Sequence, residues 1–239
     1  MRSVLASLAM LALAACAGTV DRPSAPAPPD IAHCNAQHAV ADDYPMPADP
    51  VAIPAGFRPF VAGSRLELAV ATGSGQTLCL NTQGYYAVTA MEWLQGQRLL
   101  GWEWEAYEAF GYQLVDRHGA GQMVETGARP AMSPSGRRMA SVQISESQFG
   151  GLEGFAVWDL TDDGLIPQAR HGWSESGEPP VFLGEIGADW HIGQWSGEHC
   201  VDLTSTPWNA DTQDYDRTAA QPFHAAQADG WRVTPGACR

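Results

Sequence analysis

The chain has no lysine: its 13 cationic side chains are all arginine, set against 27 aspartates and glutamates in 239 residues, for a formal charge of −14 at pH 7. Schiff-base, Ser–Lys and P-loop chemistries each need a lysine amine and are excluded. Nucleic-acid binding depends on clustered cations that neutralise phosphates, so the acidic excess argues against that partner. Residues 71–77, ATGSGQT, have the glycines of a phosphate loop without its lysine and read as a hairpin turn. No H-E-x-x-H or G-x-S-x-G pattern occurs, so no catalytic residue is assigned. No C-x2-C unit is present, and neither a metal site nor a cofactor is expected. No apolar run approaches the roughly 20 residues of a membrane-spanning helix.

What is present at the N-terminus is a short export pattern. Arg2 precedes an apolar stretch, VLASLAMLALAA at 4–15, and Cys16 follows directly. Such a stretch suits a cleaved secretory signal. Leu13-Ala14-Ala15-Cys16 resembles the bacterial lipobox, in which the cysteine thiol is diacylated and the signal is cut before it. The resemblance implies a signal peptide over 1–15 and lipidation at Cys16. Three acyl chains there anchor stably, whereas one chain is marginal. Ala17, where an aspartate would favour retention, implies the outer membrane, with the domain facing the periplasm. Residues 16–56, rich in Ala and Pro, read as a lipidated tether too poor in large apolar groups to fold. Residues 57–239 are enough for one domain with a proper core.

Four cysteines remain: Cys34, Cys79, Cys200 and Cys238. In an oxidising compartment they read as two disulfides, with three connectivities to choose from. Cys34–Cys79 with Cys200–Cys238 is favoured, because each bond then ties a terminal segment to a nearby strand.

A hairpin pattern recurs along the domain. FVAGSRLELAV (60–70), WLQGQRLLGWEW (93–104), MSPSGRRMASVQ (132–143) and LGEIGADWHIGQW (183–195) align on Gly63, Gly96, Gly136 and Gly187. Each is followed by a short strand: QTLCLN, YQLVD, FAVWDL and HCVDL. Glycine supplies the positive φ of a tight turn, and alternation such as Leu100/Trp102/Trp104 loads one sheet face. The spacing lies in the range of repeat architectures. SPSGRRMASV resembles the Ser-Pro-Asp-Gly-Lys-Arg hairpin of TolB-type propellers, with Ser135 in place of the aspartate. FAVWDL resembles the strand ending of tryptophan–aspartate repeats, with Trp158-Asp159 in place. These resemblances cover residues 112–160 and imply an all-β, propeller-like array of about four small antiparallel sheets, incomplete or distorted. The tail is less legible: AAQPFHAAQA (219–228) fits a short helix or strand, and WRVT (231–234) a last strand.

Candidate sites are weaker than the fold. Asp189, His191, His199 and Ser196 can be drawn as a triad, but triads assemble from distant segments, whereas these lie in one hairpin. Glu103, Glu105 and Glu108 lie near Trp102 and Trp104; on a strand the tryptophans face the core and Glu103 and Glu105 face solvent. Asp211, Asp214 and Asp216 offer oxygens for calcium without the glycine such loops use. Of the nine tryptophans, Trp173 and Trp208 sit in loops and are the binding candidates. The sequence thus supports a first reading and an alternative, in that order. The first is an envelope protein binding another envelope protein as a scaffold or accessory. The alternative is an enzyme or carbohydrate-binding protein acting on cell-wall or surface glycans. Convergence of Asp189 and His191 with a distant carboxylate favours the second; an exposed apolar patch holding Trp173 and Trp208 favours the first.

Overall fold

A computed structural model describes residues 28–37, 49–144, 151–172 and 188–239. The signal segment, Cys16, Trp173, Gly187 and most of the tether lie outside them. The described chain is all-β apart from helix α1 (Ile31–Gln37) and two short 3-10 turns. Sheet 1 is the meander β1 (Val61–Gly63), β2 (Glu67–Ala71) and β3 (Thr77–Asn81). Sheet 2 comprises β4 (Tyr85–Gln95), β5 (Leu99–Ala106), β6 (Ala109–Asp116) and β7 (Gln122–Glu125). Sheet 3 comprises β8 (Ala131–Met132), β9 (Arg138–Gln143), β10 (Gly154–Thr161) and β11 (Gly164–Gly172). In sheet 4, β12 (Asp189–Ser196) and β13 (Cys200–Thr206) are followed by a separate ribbon, β14 (Trp208–Asn209) with β15 (Asp214–Tyr215). The sheet then resumes with β16 (Gln221–Ala226) and β17 (Val233–Pro235). All pairings are antiparallel.

Strand alternation decides how the sheets stack. On β5, Leu100, Trp102 and Trp104 pack against Val61, Leu68 and Val70 of sheet 1, while Leu99 joins Met139, Ala156 and Trp158 of sheet 3. The next interface joins Val142, Phe155 and Val157 of sheet 3 to Trp190, Val201 and Leu203 of sheet 4. Each such side chain, fully buried, contributes about 1.5–3 kcal/mol by its removal from water. Among the described residues no core joins sheet 4 to sheet 1.

The two ends of this array are stapled. Both favoured disulfides are present, Cys34–Cys79 and Cys200–Cys238. Cys79 lies opposite Ala69, so the first bond holds α1 on the face of sheet 1 that points away from sheet 2. Asp30 caps α1, its Oδ1 accepting the His33 N–H at 2.9 Å. Residues 31–37, inside the stretch expected as extended tether, are therefore helical and docked. The second bond, with Cys238 N–H donating to Asp202 Oδ1 at 2.7 Å, holds the C-terminus on sheet 4.

The hairpin turn recurs from sheet to sheet, but not on every glycine the sequence pattern aligns. Gly96 and Gly136 do make the turns β4–β5 and β8–β9, at φ +51° and +69°. In sheet 4 the equivalent turn is at Gly197, φ +61°, between β12 and β13; the expectation at Gly187 falls outside the described residues. Gly63 ends β1 at the opposite end of its sheet. The corrected motif is Gly-x-Arg/His: Gly96-Gln97-Arg98, Gly136-Arg137-Arg138 and Gly197-Glu198-His199. Its third residue reaches the end of the third strand. Arg98 Nε and Nη2 donate to the Asp116 carboxylate at 2.9 and 2.8 Å, and Arg138 Nε donates to Asp159 Oδ1 at 2.5 Å. In sheet 4 His199 Nδ1 meets Gln227 Oε1 at 2.6 Å. Each arginine also donates to the next sheet, Arg98 to the Thr161 carbonyl and Arg138 to the Glu198 carbonyl. The turns β4–β5, β6–β7, β8–β9, β10–β11, β12–β13 and β16–β17 thus gather at one end of the array, called the hairpin end below. The links β5–β6, β7–β8 and β13–β16 gather at the other, the loop end.

Candidate ligand cleft at the loop end

A cleft of about 400 Å³ crosses the loop end of sheets 2, 3 and 4. Sheet 2 supplies Glu103, Glu105 and Phe110, since the alternation that buries Trp102 and Trp104 turns the glutamates outward. Sheet 4 supplies Asp189 and His191 from the first strand, and the β14–β15 ribbon adds Tyr215. Asp189 and His191 are bonded, Oδ2 to Nε2 at 2.7 Å. Two carboxylates more than eighty residues away in sequence therefore share one cavity with the Asp–His pair. Ser196 does not join them; it ends β12 at the hairpin end, and the triad drawing fails on geometry. His199 is also at the hairpin end, committed to Gln227.

The wall between sheets 2 and 3 is built from residues that no motif singled out. Tyr112 donates its hydroxyl proton to Glu92 Oε1 at 2.9 Å, and Arg129 forks onto the same carboxylate with Nε and Nη2 at 2.6 and 2.8 Å. The Arg129 bonds hold the Glu92 carboxyl below the ordinary glutamate range, and Glu92 in turn raises Arg129. Burial, then the bond to Glu92, pushes the Tyr112 phenol far above its usual value. The trio is a closed charge network that orients the wall. Gln143 completes it: its Nε2 donates to the Phe110 carbonyl at 3.3 Å. The residue is 7% exposed, and its Oε1 is buried without a partner among the described residues. These residues come from separate strands and a link, spaced 20 and 37 apart, so only the fold reveals them.

Aromatic groups flank the cleft. Phe110 is 56% exposed and Tyr107, in the adjoining β5–β6 turn, is 72% exposed. Trp208 is 46% exposed and sits edge-on to Tyr215, ring centroids 5.2 Å apart. The other binding candidate, Trp173, lies outside the described residues. Asp214 and Asp216 are used locally, accepting from the backbone N–H groups of Tyr215 and Thr218, and Asp211 donates its own N–H to Asn209 Oδ1. Among the described residues no three His, Cys, Asp or Glu side chains gather as a metal site, and no helix is long and apolar enough to cross a membrane. No known protein family matches the chain, and no curated protein matches it either.

Proposed function

We propose that this is a lipid-anchored protein of the bacterial envelope whose propeller-like domain binds a cell-wall or surface glycan in the loop-end cleft. One observation carries the reading: Glu103, Glu105, Asp189 and His191 converge from distant segments on a single cavity edged by Phe110 and Tyr215. Carboxylates and an imidazole bond sugar hydroxyls, and aromatic faces pack on the C–H faces of pyranose rings. The tether supports the orientation. The chain reaches the domain at Asp30, whose N–H donates to Thr77 Oγ1 at 3.0 Å, at the hairpin end of sheet 1. Attachment at the end opposite the cleft is compatible with a lipid on Cys16 and a cleft open to a ligand.

A protein partner is the second reading, favoured by the exposure of Tyr86, Tyr107 and Phe110 at the same end of sheet 2. A titration of the full chain in detergent micelles against a panel of cell-wall and surface glycan fragments separates the two. Saturable binding that Phe110→Ala weakens about tenfold and Ile166→Ala, on β11, leaves intact supports the glycan reading. Absence of glycan binding, together with an envelope protein captured through Tyr107 and Phe110, overturns it.

A further inference from the structure

We propose that the glycan selected by this cleft carries a protonated amine, as in a hexosamine whose nitrogen is not acetylated; the inference rests on the glycan reading above. Glu103 and Glu105 are both exposed and stand two residues apart on one strand, so their Cα atoms lie about 7 Å apart and both side chains face the cavity. Sheet 4 adds Asp189. The arginine of the described lining is paired with a carboxylate outside it, and the lining histidine is bonded to the aspartate beside it. Arg129 donates one bond each from Nε and Nη2 to the Glu92 carboxylate, and His191 is bonded to Asp189.

A ligand in this cavity therefore meets two glutamates that form no ion pair among the described residues. A neutral sugar answers them with hydroxyl donors alone, and an anionic sugar is repelled. An ammonium group supplies both the charge and three N–H donors. A second observation asks for a donor as well. The buried Oε1 of Gln143 is an acceptor without a partner among the described residues, in the wall beside Gly127 and Phe110. Gly127, at φ +70°, gives that amide room: a Cβ there would lie 2.2 Å from Oε1. Phe110 and Tyr215 add π faces that favour a cation over a neutral ring.

The test titrates the full chain, in micelles, with a glucosamine tetramer and with the same tetramer fully N-acetylated. The free amine form is expected to bind about tenfold or more tightly, with the preference shrinking as salt rises. Glu103→Gln combined with Glu105→Gln should abolish the preference. Asp162→Asn combined with Asp163→Asn, in the β10–β11 turn at the hairpin end, removes the same formal charge and should preserve it. Equal binding of the two tetramers by the unaltered chain overturns the amine inference and leaves the glycan reading standing. Binding of neither tetramer, with none of the wider glycan panel bound, overturns both. Binding of tetralysine with no glycan bound overturns it in favour of a basic peptide. Equal loss of preference in the two double variants overturns it in favour of a general charge effect.

Discussion

Gly101 sits opposite Leu114 in sheet 2, and a Cβ placed on it would lie 2.1 Å from the Tyr112 hydroxyl. That missing methyl is what lets Tyr112 cross the strand and reach Glu92. Gly101→Ala is expected to destabilise the fold by about 1–3 kcal/mol through overpacking, measured by urea unfolding, and to weaken glycan binding because the cleft wall moves. Glu92 gives a pH prediction with a definite sign. Its folded pKa lies below its unfolded value, so its contribution is present above the ordinary glutamate range and is lost as pH falls through the folded pKa. Wild type and Glu92→Gln should therefore differ by about 1 kcal/mol at pH 7, since the pair is partly exposed, and converge as the carboxylate protonates. A difference that persisted at acid pH would mean that shape, not charge, sets the wall. Alternation in WEWEAYE was enough to place Glu103 and Glu105 outward and Trp102 and Trp104 inward. The Tyr112–Glu92–Arg129 network was not legible, because its members meet only through register and a long link.

At the level of the elements, the β4–β5 and β8–β9 turns are each tied to their sheet and to the next one by the same arginine. Asp116 is 1% exposed and receives both Arg98 bonds, so Asp116→Ala strips the partner from a half-buried guanidinium. The loss should be about 2–4 kcal/mol, read from the denaturant midpoint, somewhat below the usual cost of breaking a fully buried pair. The corresponding His199→Ala in sheet 4 removes only an exposed contact with Gln227 and should cost under about 1 kcal/mol. The turn glycine was legible in sheets 2 and 3, where Gly96 and Gly136 make the expected turns; the bonds from Arg98 to Asp116 and from Arg138 to Asp159 were not, because they join distant segments. In sheet 4 His199 and Gln227 replace these partners, and the ribbon of residues 208–215 separates the second strand from the third. The alignment failed in sheet 1 because Gly63 marks a turn at the opposite end. Residues 219–228 were ambiguous for a related reason: alternation in QPFHAA is carried by small residues, and pairing with β13 rather than periodicity makes them a strand.

For the molecule as a whole, the array of four sheets has two exposed ends, and terminal repeats need caps. Here α1 and the C-terminal segment serve, each fixed by a disulfide spanning 45 and 38 residues respectively. Replacing both members of either pair with serine should cost about 4 kcal/mol in the loop-entropy account, seen as a lowered melting temperature, and reducing agent should lower it further through the remaining bond. The pairing was legible because only one connectivity ties each terminus locally; the helical form of α1 was not, since seven residues beside a Pro-rich stretch give little periodicity. The anchor proposal has its own check: Cys16→Ala should abolish palmitate incorporation and release the protein from the membrane fraction. The most direct test of the central claim is hydrogen–deuterium exchange of the full chain with and without a bound glycan. Binding at the cleft predicts slowed exchange over residues 103–112, 127–129 and 189–191, with the hairpin-end turns at Gly96, Gly136 and Gly197 unchanged. Protection at those turns instead, or none at the loop end, would contradict it.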